Sequence, residues 1–488
     1  MDQSISLLEA CANPDTLFST PPESLIHQIY TEFPTEIDRL RRAYSVREHD
    51  QNPLEHSTPS PSHILFGEEY DEVNRTLVGL LALRWIHRRD YASFTGIGIG
   101  SRTGTHSHTN PSREQEESLS RGSFKWITDF YERVMQVVPA DADARPDADA
   151  LYTLITLIIT NDLGKDPNLA KEYKSITGSD ISHENHDLIL LKAHEAGLVP
   201  SLDRLPAAYR EIALSGLKLA STFNLGQRAQ AENAPVCLAA LLDLRKEEGP
   251  DNLRGCWRAF YLRFMEQLLD IAGAGGHMDW TCAGKLSEAV FDSYRGVFET
   301  CCAAFEGAMD LQEAYDTVLR RRAAFLIDRG VVGIHLLDEF LAYHMTSDNR
   351  AFMRLLCMGN VTSAQTAELF QSTWRDLDPS TKEELAQALS AFGARGKPAI
   401  QPTYMPAFLS GIRDRKELEC ALKFLGRVMT APVTDIEMED GHFDPSVVVI
   451  ERSVLGILKE FVETGLFHED PTVLEGVDTP KGVVALRL

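Results

Sequence analysis

The chain has 488 residues with 48 Lys and Arg against 72 Asp and Glu, which gives a formal net charge of −24 at pH 7. Such an acidic surface disfavours non-specific association with nucleic-acid phosphates and with anionic membranes. Hydrophobic residues at 43% and charged residues at 25% are typical of a soluble globular enzyme, and the length allows two or three domains or one large helical domain.

Neither cysteine spacing nor hydropathy indicates an extracellular or membrane protein. The 8 cysteines show no metal-finger spacing and no disulfide framework, which favours buried thiols in a reducing compartment. Residues 1–15 have no basic region and no long apolar core, so we expect no secretory signal. The longest apolar runs fall well short of the roughly 20 residues that a membrane helix needs. We therefore expect a cytoplasmic protein without a membrane partner.

Helical spacing of apolar residues predicts three helices in the first part of the chain, over 22–46, 70–91 and 123–138, the first of them kinked at Pro34. The glycine-rich segment 94–104 lies between the second and the third, and His106 and His108 follow it. Its glycine spacing matches neither the P-loop nor the dinucleotide fingerprint. We expect either a flexible surface loop or a loop that covers an anion or a substrate.

Two groups of ionisable residues then mark the most informative stretch. The apolar segment 151–160 leads into the sequence NDLGKD at 161–166, and HENHD at 183–187 begins the apolar run 188–191. Carboxylates and imidazoles at the ends of buried segments tend to have shifted pKa values and to mark functional sites.

The rest of the chain is also helical by periodicity, and no alternation of strands with helices is visible. We predict a mostly α fold, a large multi-helix globular bundle without a parallel sheet. We place a main domain that carries the polar site at 1–330 and a C-terminal helical domain at 331–488. The further predicted helices span 201–222, 236–245, 253–272, 280–305, 311–328, 331–345, 349–358, 363–374, 381–392, 412–430 and 444–463.

The 161–166 segment resembles the HD-[IL]-[GA]-K turn of HD-domain metal phosphohydrolases. In that family a His-Asp pair, an upstream His and a downstream Asp gather divalent metals; here His87 or His108 would stand upstream and Asp279 downstream. Asn161 occupies the place of the paired His, and an amide is a poor ligand for a transition metal. The alternative is a local ion pair of Asp162 with Lys165 that ends the helix.

On a helix, His183, His186 and Asp187 would share one face, since they stand at i, i+3 and i+4. This spacing suits a two-ligand metal site or a His–Asp acid/base pair. In the alternative, Asp180 and Ser182 cap the helix and the histidines are surface residues without a chemical role.

Two further polar groups have open interpretations. The segment GAGGHMDW at 273–280 predicts either a pocket wall or a helix junction broken by glycines. The polar residues between 224 and 233 either hydrogen-bond a substrate or connect two helices. Signatures of serine hydrolases, cysteine proteases and kinases are absent from the sequence.

The segments 160–166, 180–187 and 275–293 give the chain a resemblance to the fungal arginine-containing cyclodipeptide synthases. The resemblance implies a tRNA-dependent enzyme that joins an arginyl group to a second aminoacyl group and cyclises the product to a diketopiperazine. The implied partners are arginyl-tRNA and a second aminoacyl-tRNA, and we expect no cofactor and no metal.

Such a reaction needs a base for an α-amine, donors for an oxyanion and carboxylates for a guanidinium. We assign the substrate side to carboxylates, one imidazole and a small basic rim. The candidate catalytic residues are Asp162, Lys165, His183, His186 and Asp187. The candidate substrate-binding residues are Asp166, His277, Asp279, Asp129, Glu132, Arg88 and Arg89. The alternatives are an HD-domain-like metal-dependent hydrolase or oxygenase and a non-catalytic helical scaffold.

Overall fold

The fold is mostly α-helical, as the sequence predicts. His106, His108 and most of the predicted helix 331–345 lie outside the residues that the structure describes. No helix among the described residues combines the length and the apolar character needed to cross a membrane. The structure is a computed structural model that describes residues 6–45, 58–97, 118–136, 148–248, 253–331, 345–393, 398–432, 447–480 and 484–487.

The helices up to residue 273 are α1 (Leu7–Cys11), α2 (Pro14–Ser19), α3 (Pro22–Glu32), α4 (Pro34–Leu40), α5 (Pro61–Phe66), α6 (Asp71–His87), α7 (Tyr91–Thr95), α8 (Arg121–Met135), α9 (Ala148–Thr160), α10 (Pro167–Thr177), α11 (His186–Glu195), α12 (Pro200–Asp203), α13 (Ala207–Thr222), α14 (Leu225–Ala229), α15 (Ala239–Glu248) and α16 (Leu253–Gly273). The elements after residue 273 are α17 (Glu288–Phe305), α18 (Leu311–Asp328), α19 (Ser347–Met358), α20 (Ala364–Asp376), α21 (Pro379–Leu389), β1 (Ala399–Gln401), α22 (Met405–Leu409), α23 (Arg415–Thr430), β2 (Val447–Glu451), α24 (Leu455–Glu463), α25 (Leu466–Glu469) and β3 (Val484–Arg487). Among the described residues, three short 3₁₀ helices, Leu163–Lys165, Pro235–Leu238 and Pro471–Gly476, connect some of these elements.

The chain divides into two compact units, each built from two separate stretches. Unit 1 is Met1–Ser221 with Lys246–Phe291, and unit 2 is Thr222–Arg245 with Asp292–Leu488. This division differs from the two consecutive domains, 1–330 and 331–488, expected from the sequence. Helical periodicity shows which face of a helix is buried but does not identify the helix against which that face packs.

In unit 1, α6 and α16 contact each other directly through their backbones. A Cβ atom on Gly273 would lie 2.1 Å from the carbonyl oxygen of Arg75, and one on Gly79 would lie 2.8 Å from the carbonyl oxygen of Leu269. Only glycine fits such approaches, since any side chain would force the helices apart. The close packing brings the first turns of α6 beside the C-terminal half of α16.

Unit 2 has its own apolar core, formed by α18 to α21, α22 and α23 together with residues of the small sheet. β1 pairs with β2 in parallel, with Ala399 opposite Val449, and β2 pairs with β3 in antiparallel fashion. This short parallel pair was not predicted from the sequence, and Val447–Glu451 is a strand where a helix was predicted over 444–463. The run Val447–Ile450 is entirely β-branched, and such residues favour strands.

Candidate active site in unit 1

Two polar residues, Asn161 and Asp162, follow α9 in the interior of unit 1. Every residue of this helix from Ala150 to Thr160 is buried, so the helix has no solvent face along that stretch. Asn161 and Asp162 follow and are each only 6% exposed. Buried polar groups of this kind need partners, and the partners define the site.

Lys165 is the first partner of Asp162. Its Nζ lies 2.9 Å from Asp162 Oδ1 and 3.2 Å from Glu72 Oε2 on α6. Burial by itself lowers the pKa of Lys165, but Asp162, Glu72 and Asp270 raise it, and the net pKa shift is upward. Lys165 is therefore a fixed cation at neutral pH, and it cannot serve as a general base.

His186 approaches Asp162 because the intervening turn contains Gly164. A Cβ atom on Gly164 would lie 1.9 Å from the carbonyl oxygen of His186, so the turn and the start of α11 touch backbone to backbone. His186 Nε2 lies 3.9 Å from Asp162 Oδ1 and 3.8 Å from Asp187 Oδ2. The imidazole is 24% exposed, whereas both carboxylates are buried. It therefore stands between the buried charges and solvent.

The expectation that His183, His186 and Asp187 share a helical face is wrong for His183. Asn185 is the N-cap of α11 and accepts a hydrogen bond from Leu188 N at 2.9 Å, so the helix begins at His186. An amide side chain is a favoured N-cap, and here Asn185 caps the helix instead of Asp180 and Ser182. His183 lies before the helix with its side chain 51% exposed, 3.9 Å from Glu184.

A polar stripe on α16 completes the site. Arg263 Nη1 donates to Asn161 Oδ1 at 2.9 Å, and its Nη2 donates to Asp187 Oδ1 at 3.3 Å. The same guanidinium forms a 2.5 Å contact with Glu266 Oε2 one turn along the helix. Asn161, which occupies the histidine position of the HD turn, is thus an acceptor for an arginine.

Glu266 is the most perturbed acid of the site. It is 1% exposed, and its Oε1 has no hydrogen-bond partner among the described residues. Burial raises the pKa of Glu266 to about 8; Arg263 opposes this effect, and Asp270 and Asp187 add to it. Burial therefore favours the protonated form of this carboxyl group more than in an exposed glutamate.

Together these residues form what we call the charged cluster of unit 1. Arg75 joins it through Glu72 at 2.8 Å and also donates to Ala274 O at 2.8 Å. The members of the cluster on α6 and α16 were not predicted from the sequence, although the i, i+3, i+4 and i+7 spacing of polar residues in the apolar helix 253–272 was a usable signal. The charged cluster consists of the carboxyl groups of Glu72, Asp162, Asp187, Glu266 and Asp270, the cations Arg75, Lys165 and Arg263, and the imidazole of His186.

Asp166 forms a different ion-pair group from the one expected. It is fully buried, and its Oδ2 lies 3.3 Å from Arg39 and 2.9 Å from Arg42. Its Oδ1 accepts from Asn168 N at 3.0 Å and caps α10. A carboxylate with these partners ties α10 to α4 and has a structural role.

His277 and Asp279 lie on the loop that follows α16. Asp279 Oδ1 accepts from the backbone N and the hydroxyl of Thr281, at 2.9 and 2.6 Å, and so holds a tight turn. A Cβ atom on Gly276 would lie 2.7 Å from Asn74 O, so this loop packs closely on α6. It starts beside the charged cluster, through the bond from Arg75 to Ala274 O.

The other two predicted carboxylates form surface ion pairs. Asp129 pairs with Lys125 at 2.6 Å, one turn apart on α8, and all of these side chains are substantially exposed. Glu132 pairs with Arg89 at the end of α6. Exposed pairs of this kind contribute roughly 0–1 kcal/mol and hold no substrate by themselves.

The remaining predicted cation and the upstream histidine contact the N-terminal helices. Arg88 Nη1 donates to Ser19 Oγ at 3.2 Å. His87 Nε2 lies 2.9 Å from Asp15 Oδ1, and its Nδ1 lies 3.1 Å from the hydroxyl of Tyr131. Among the described residues, no three His, Cys, Asp or Glu side chains are grouped so that they could hold a metal ion.

The fold and the site define a mostly α-helical protein whose first unit buries a cluster of ion pairs beneath an accessible imidazole. The chain belongs to the Family of unknown function (DUF6829), whose model matches residues 26–474. No curated protein and no solved structure gives a significant match.

Proposed function

We propose that the protein is a tRNA-dependent cyclodipeptide synthase that uses the charged cluster of unit 1 to bind and activate an arginyl group. The observation that carries the proposal is the position of His186, a partly exposed imidazole within 4 Å of two buried carboxylates, Asp162 and Asp187. An imidazole backed by a carboxylate is suited to general-base work near neutral pH.

The charge balance of the cluster supports a cationic substrate. Its five carboxyl groups face three cations, and with Glu266 protonated four carboxylates remain, so the cluster keeps a net negative charge. A guanidinium is recognised by carboxylates, with two parallel hydrogen bonds where the geometry allows. We assign the guanidinium to Asp162 and Asp187, because these two carboxylates lie within 4 Å of the imidazole of His186.

In the proposed reaction His186 accepts a proton from the α-amine of one aminoacyl group. The amine nitrogen attacks the ester carbonyl carbon of the other group, the C–N bond forms, and the ester C–O bond breaks. The leaving tRNA hydroxyl takes up the proton. A second attack of the same kind, within the dipeptidyl ester, closes the diketopiperazine ring and releases the second tRNA.

The acidic surface limits where tRNA can bind. We assign the contact to the C-terminal end of α6 and the residues that follow it, where Arg84, Arg88 and Arg89 lie within six positions of one another in the sequence. Backbone contacts of this kind are sensitive to salt, so tRNA binding is expected to weaken as ionic strength rises.

The experiment is expression of the full chain in a bacterial host and mass spectrometry of the medium for arginine-containing diketopiperazines. Wild type is expected to produce one, and His186→Ala is expected to lower its yield by about 100-fold or more, since general-base catalysis contributes that much. His183→Ala is the matched control, because this exposed histidine three positions away lies outside α11. It is expected to retain the wild-type yield.

Two results would refute the proposal: no diketopiperazine from soluble, folded wild type, or an unchanged yield from His186→Ala. The HD-like alternative would place Asp162 and His186 on a divalent metal, so metal analysis of the purified protein separates the two. In a non-catalytic scaffold the cluster would serve stability alone, and neither product nor bound metal would be found.

A further inference from the structure

Unit 2 contains a buried guanidinium that uses only one of its three nitrogens. Arg228 on α14 is 1% exposed, and its Nη2 donates to Pro235 O at 3.1 Å. Its Nε and Nη1 have no hydrogen-bond partner in the part of the chain that the structure describes. The guanidinium carbon lies 4.9 Å from the ring centroid of Tyr315 and 5.6 Å from that of Phe223. The aromatic rings hold the guanidinium but accept none of its in-plane N–H groups.

A second buried guanidinium shares the same tyrosine. Arg354 on α19 is 1% exposed and lies 5.7 Å from the Tyr315 ring centroid. Its N–H groups donate to backbone carbonyls only, which carry no formal charge, and its positive charge raises the local potential. The acceptors are the carbonyl oxygens of Ala231, Glu232, Asn233 and Leu389.

The groups with the largest electrostatic effect on Arg228 do not include a carboxylate that could neutralise its positive charge. Apart from burial, the groups with the largest effects on its pKa are Cys237, Tyr315 and Cys301, and none of them is a carboxylate. The buried carboxyl group of Glu232 has its pKa raised to about 8, mainly by burial and then by Glu451. Because burial disfavours its ionised form, Glu232 contributes little negative charge to balance Arg228 at neutral pH.

Asn233 adds a second unsatisfied group on the same segment. It is 1% exposed, and both its Nδ2 and its Oδ1 have no hydrogen-bond partner among the described residues. Buried polar groups without partners are rare in native proteins, and a buried cation without an anion is more unfavourable still. Arg228 has unused N–H donors, and Asn233, five positions further along the chain, has both an unused donor and an unused acceptor.

We propose that unit 2 binds a compact oxyanion, a carboxylate or a phosphate group, at Arg228, with the side-chain amide of Asn233 as a second polar contact. The planar fork of a guanidinium matches two oxygens of either group. Asn233 Oδ1 needs a hydrogen-bond donor, which a protonated phosphate has and a simple carboxylate such as acetate lacks. This site is independent of the function proposed for unit 1.

The test measures thermal unfolding and calorimetric binding of the full chain with sodium phosphate, sodium acetate or sodium chloride at equal ionic strength. The variant Arg228→Met removes the positive charge, whereas Arg228→Lys keeps the charge but removes the planar guanidinium. The variant Asn233→Leu removes the side-chain amide. Arg452→Met is the matched control, since this arginine is also in unit 2, is 1% exposed and donates to the carbonyls of Val428 and Ala431.

Wild type is expected to show a saturable rise of Tm with phosphate or acetate beyond that with chloride. Arg228→Met and Arg228→Lys are expected to weaken binding of that anion by about tenfold or more, which corresponds to the loss of one charge-assisted contact. Replacement of an unpaired buried ion by an apolar side chain leaves the fold intact. Arg452→Met is expected to lower Tm but to keep the response to the anion.

A response to phosphate alone assigns a phosphate-bearing ligand, and a response to acetate as well assigns the carboxylate class. No saturable response of wild type to either anion overturns the proposal. An equal response in wild type and in both Arg228 variants overturns it too, since the anion would then bind elsewhere.

Discussion

Glu266 influences the charge of the cluster in unit 1, because burial raises the pKa of its carboxyl group to about 8. Its neighbours Asp187 and Asp270 disfavour a further negative charge, and Arg263 only partly offsets this effect and that of burial. Pairs of acids whose environments separate their pKa values are typical of sites that hold and move protons. The residue is therefore a sensitive reporter of the state of the site.

Glu266→Gln should change the pH dependence of stability. The folded-state pKa of about 8 lies above the ordinary value of 4.5, so the native state binds more protons between these values. The free energy of unfolding of wild type therefore falls as pH rises through this window, by at most about 1.4 kcal/mol per pH unit from this group. The glutamine is a neutral isostere and removes this contribution to the slope. The stability of the variant relative to wild type is therefore greater at pH 8 than at pH 5.

Urea unfolding of both proteins from pH 5 to pH 9 measures the effect. Glu132→Gln is the control, since this glutamate is 44% exposed and pairs with Arg89 on the surface; its curve should run parallel to wild type. Lys165 does not interfere, because its raised pKa contributes stability that persists through this whole range. Parallel curves for wild type and Glu266→Gln would contradict the protonated state of Glu266.

At the scale of elements, the cluster exists because α6 and α16 cross with their backbones in contact. Gly79 and Gly273 permit this approach, and it places Glu72 and Arg75 beside the polar stripe of α16. A larger side chain at the crossing would separate the two charged faces. The site therefore depends on residues that carry no chemistry of their own.

Gly273→Ala is expected to destabilise the protein by about 1–3 kcal/mol, because its Cβ would lie 2.1 Å from Arg75 O, a backbone atom that cannot rotate away. Gly122→Ala is the matched control in unit 1. Its nearest contact is Ser120 Oγ at 3.8 Å, and alanine inside a helix is expected to stabilise by roughly 0.5–1 kcal/mol. Chemical unfolding of both variants checks the prediction, and equal free energies of unfolding would show that the crossing tolerates a side chain.

The positions of helices could be predicted well from the sequence, but the pairs of residues that contact each other between helices could not. The predicted helices 70–91 and 253–272 correspond to Asp71–His87 and Leu253–Gly273, since apolar residues at helical spacing define a buried face. The same spacing does not reveal that Glu72 pairs with Lys165, 93 positions away. The Asp162–Lys165 and His186–Asp187 pairs were found because they are local, whereas the contribution of α16 depends on tertiary packing.

At the scale of the whole molecule, each unit is assembled from distant stretches of chain. Thr222–Arg245 belongs to unit 2 although both of its flanks belong to unit 1. Within unit 2 this stretch is held by polar contacts as well as by apolar packing. Arg354 makes several of these polar contacts, since it donates to the carbonyl oxygens of Ala231, Glu232 and Asn233. A short stretch that enters a unit in this way is held by few side chains, so each contributes heavily to its order.

Arg354→Met should therefore loosen 231–238 within unit 2. It leaves the buried carbonyl oxygens of Glu232 and Asn233 without their donor, whereas Ala231 O keeps the hydroxyl of Tyr315, and each unsatisfied buried group costs about 1–3 kcal/mol. We expect hydrogen–deuterium exchange of peptides that cover 231–238 to accelerate by about tenfold or more, while peptides from α6 and α16 keep their protection. Arg375→Met is the control, since this arginine is 66% exposed and pairs only at the surface with Asp376. Unchanged exchange of 231–238 in Arg354→Met would mean that apolar packing alone holds this stretch, and an equal acceleration in Arg375→Met would mean that the effect is not specific to these carbonyls.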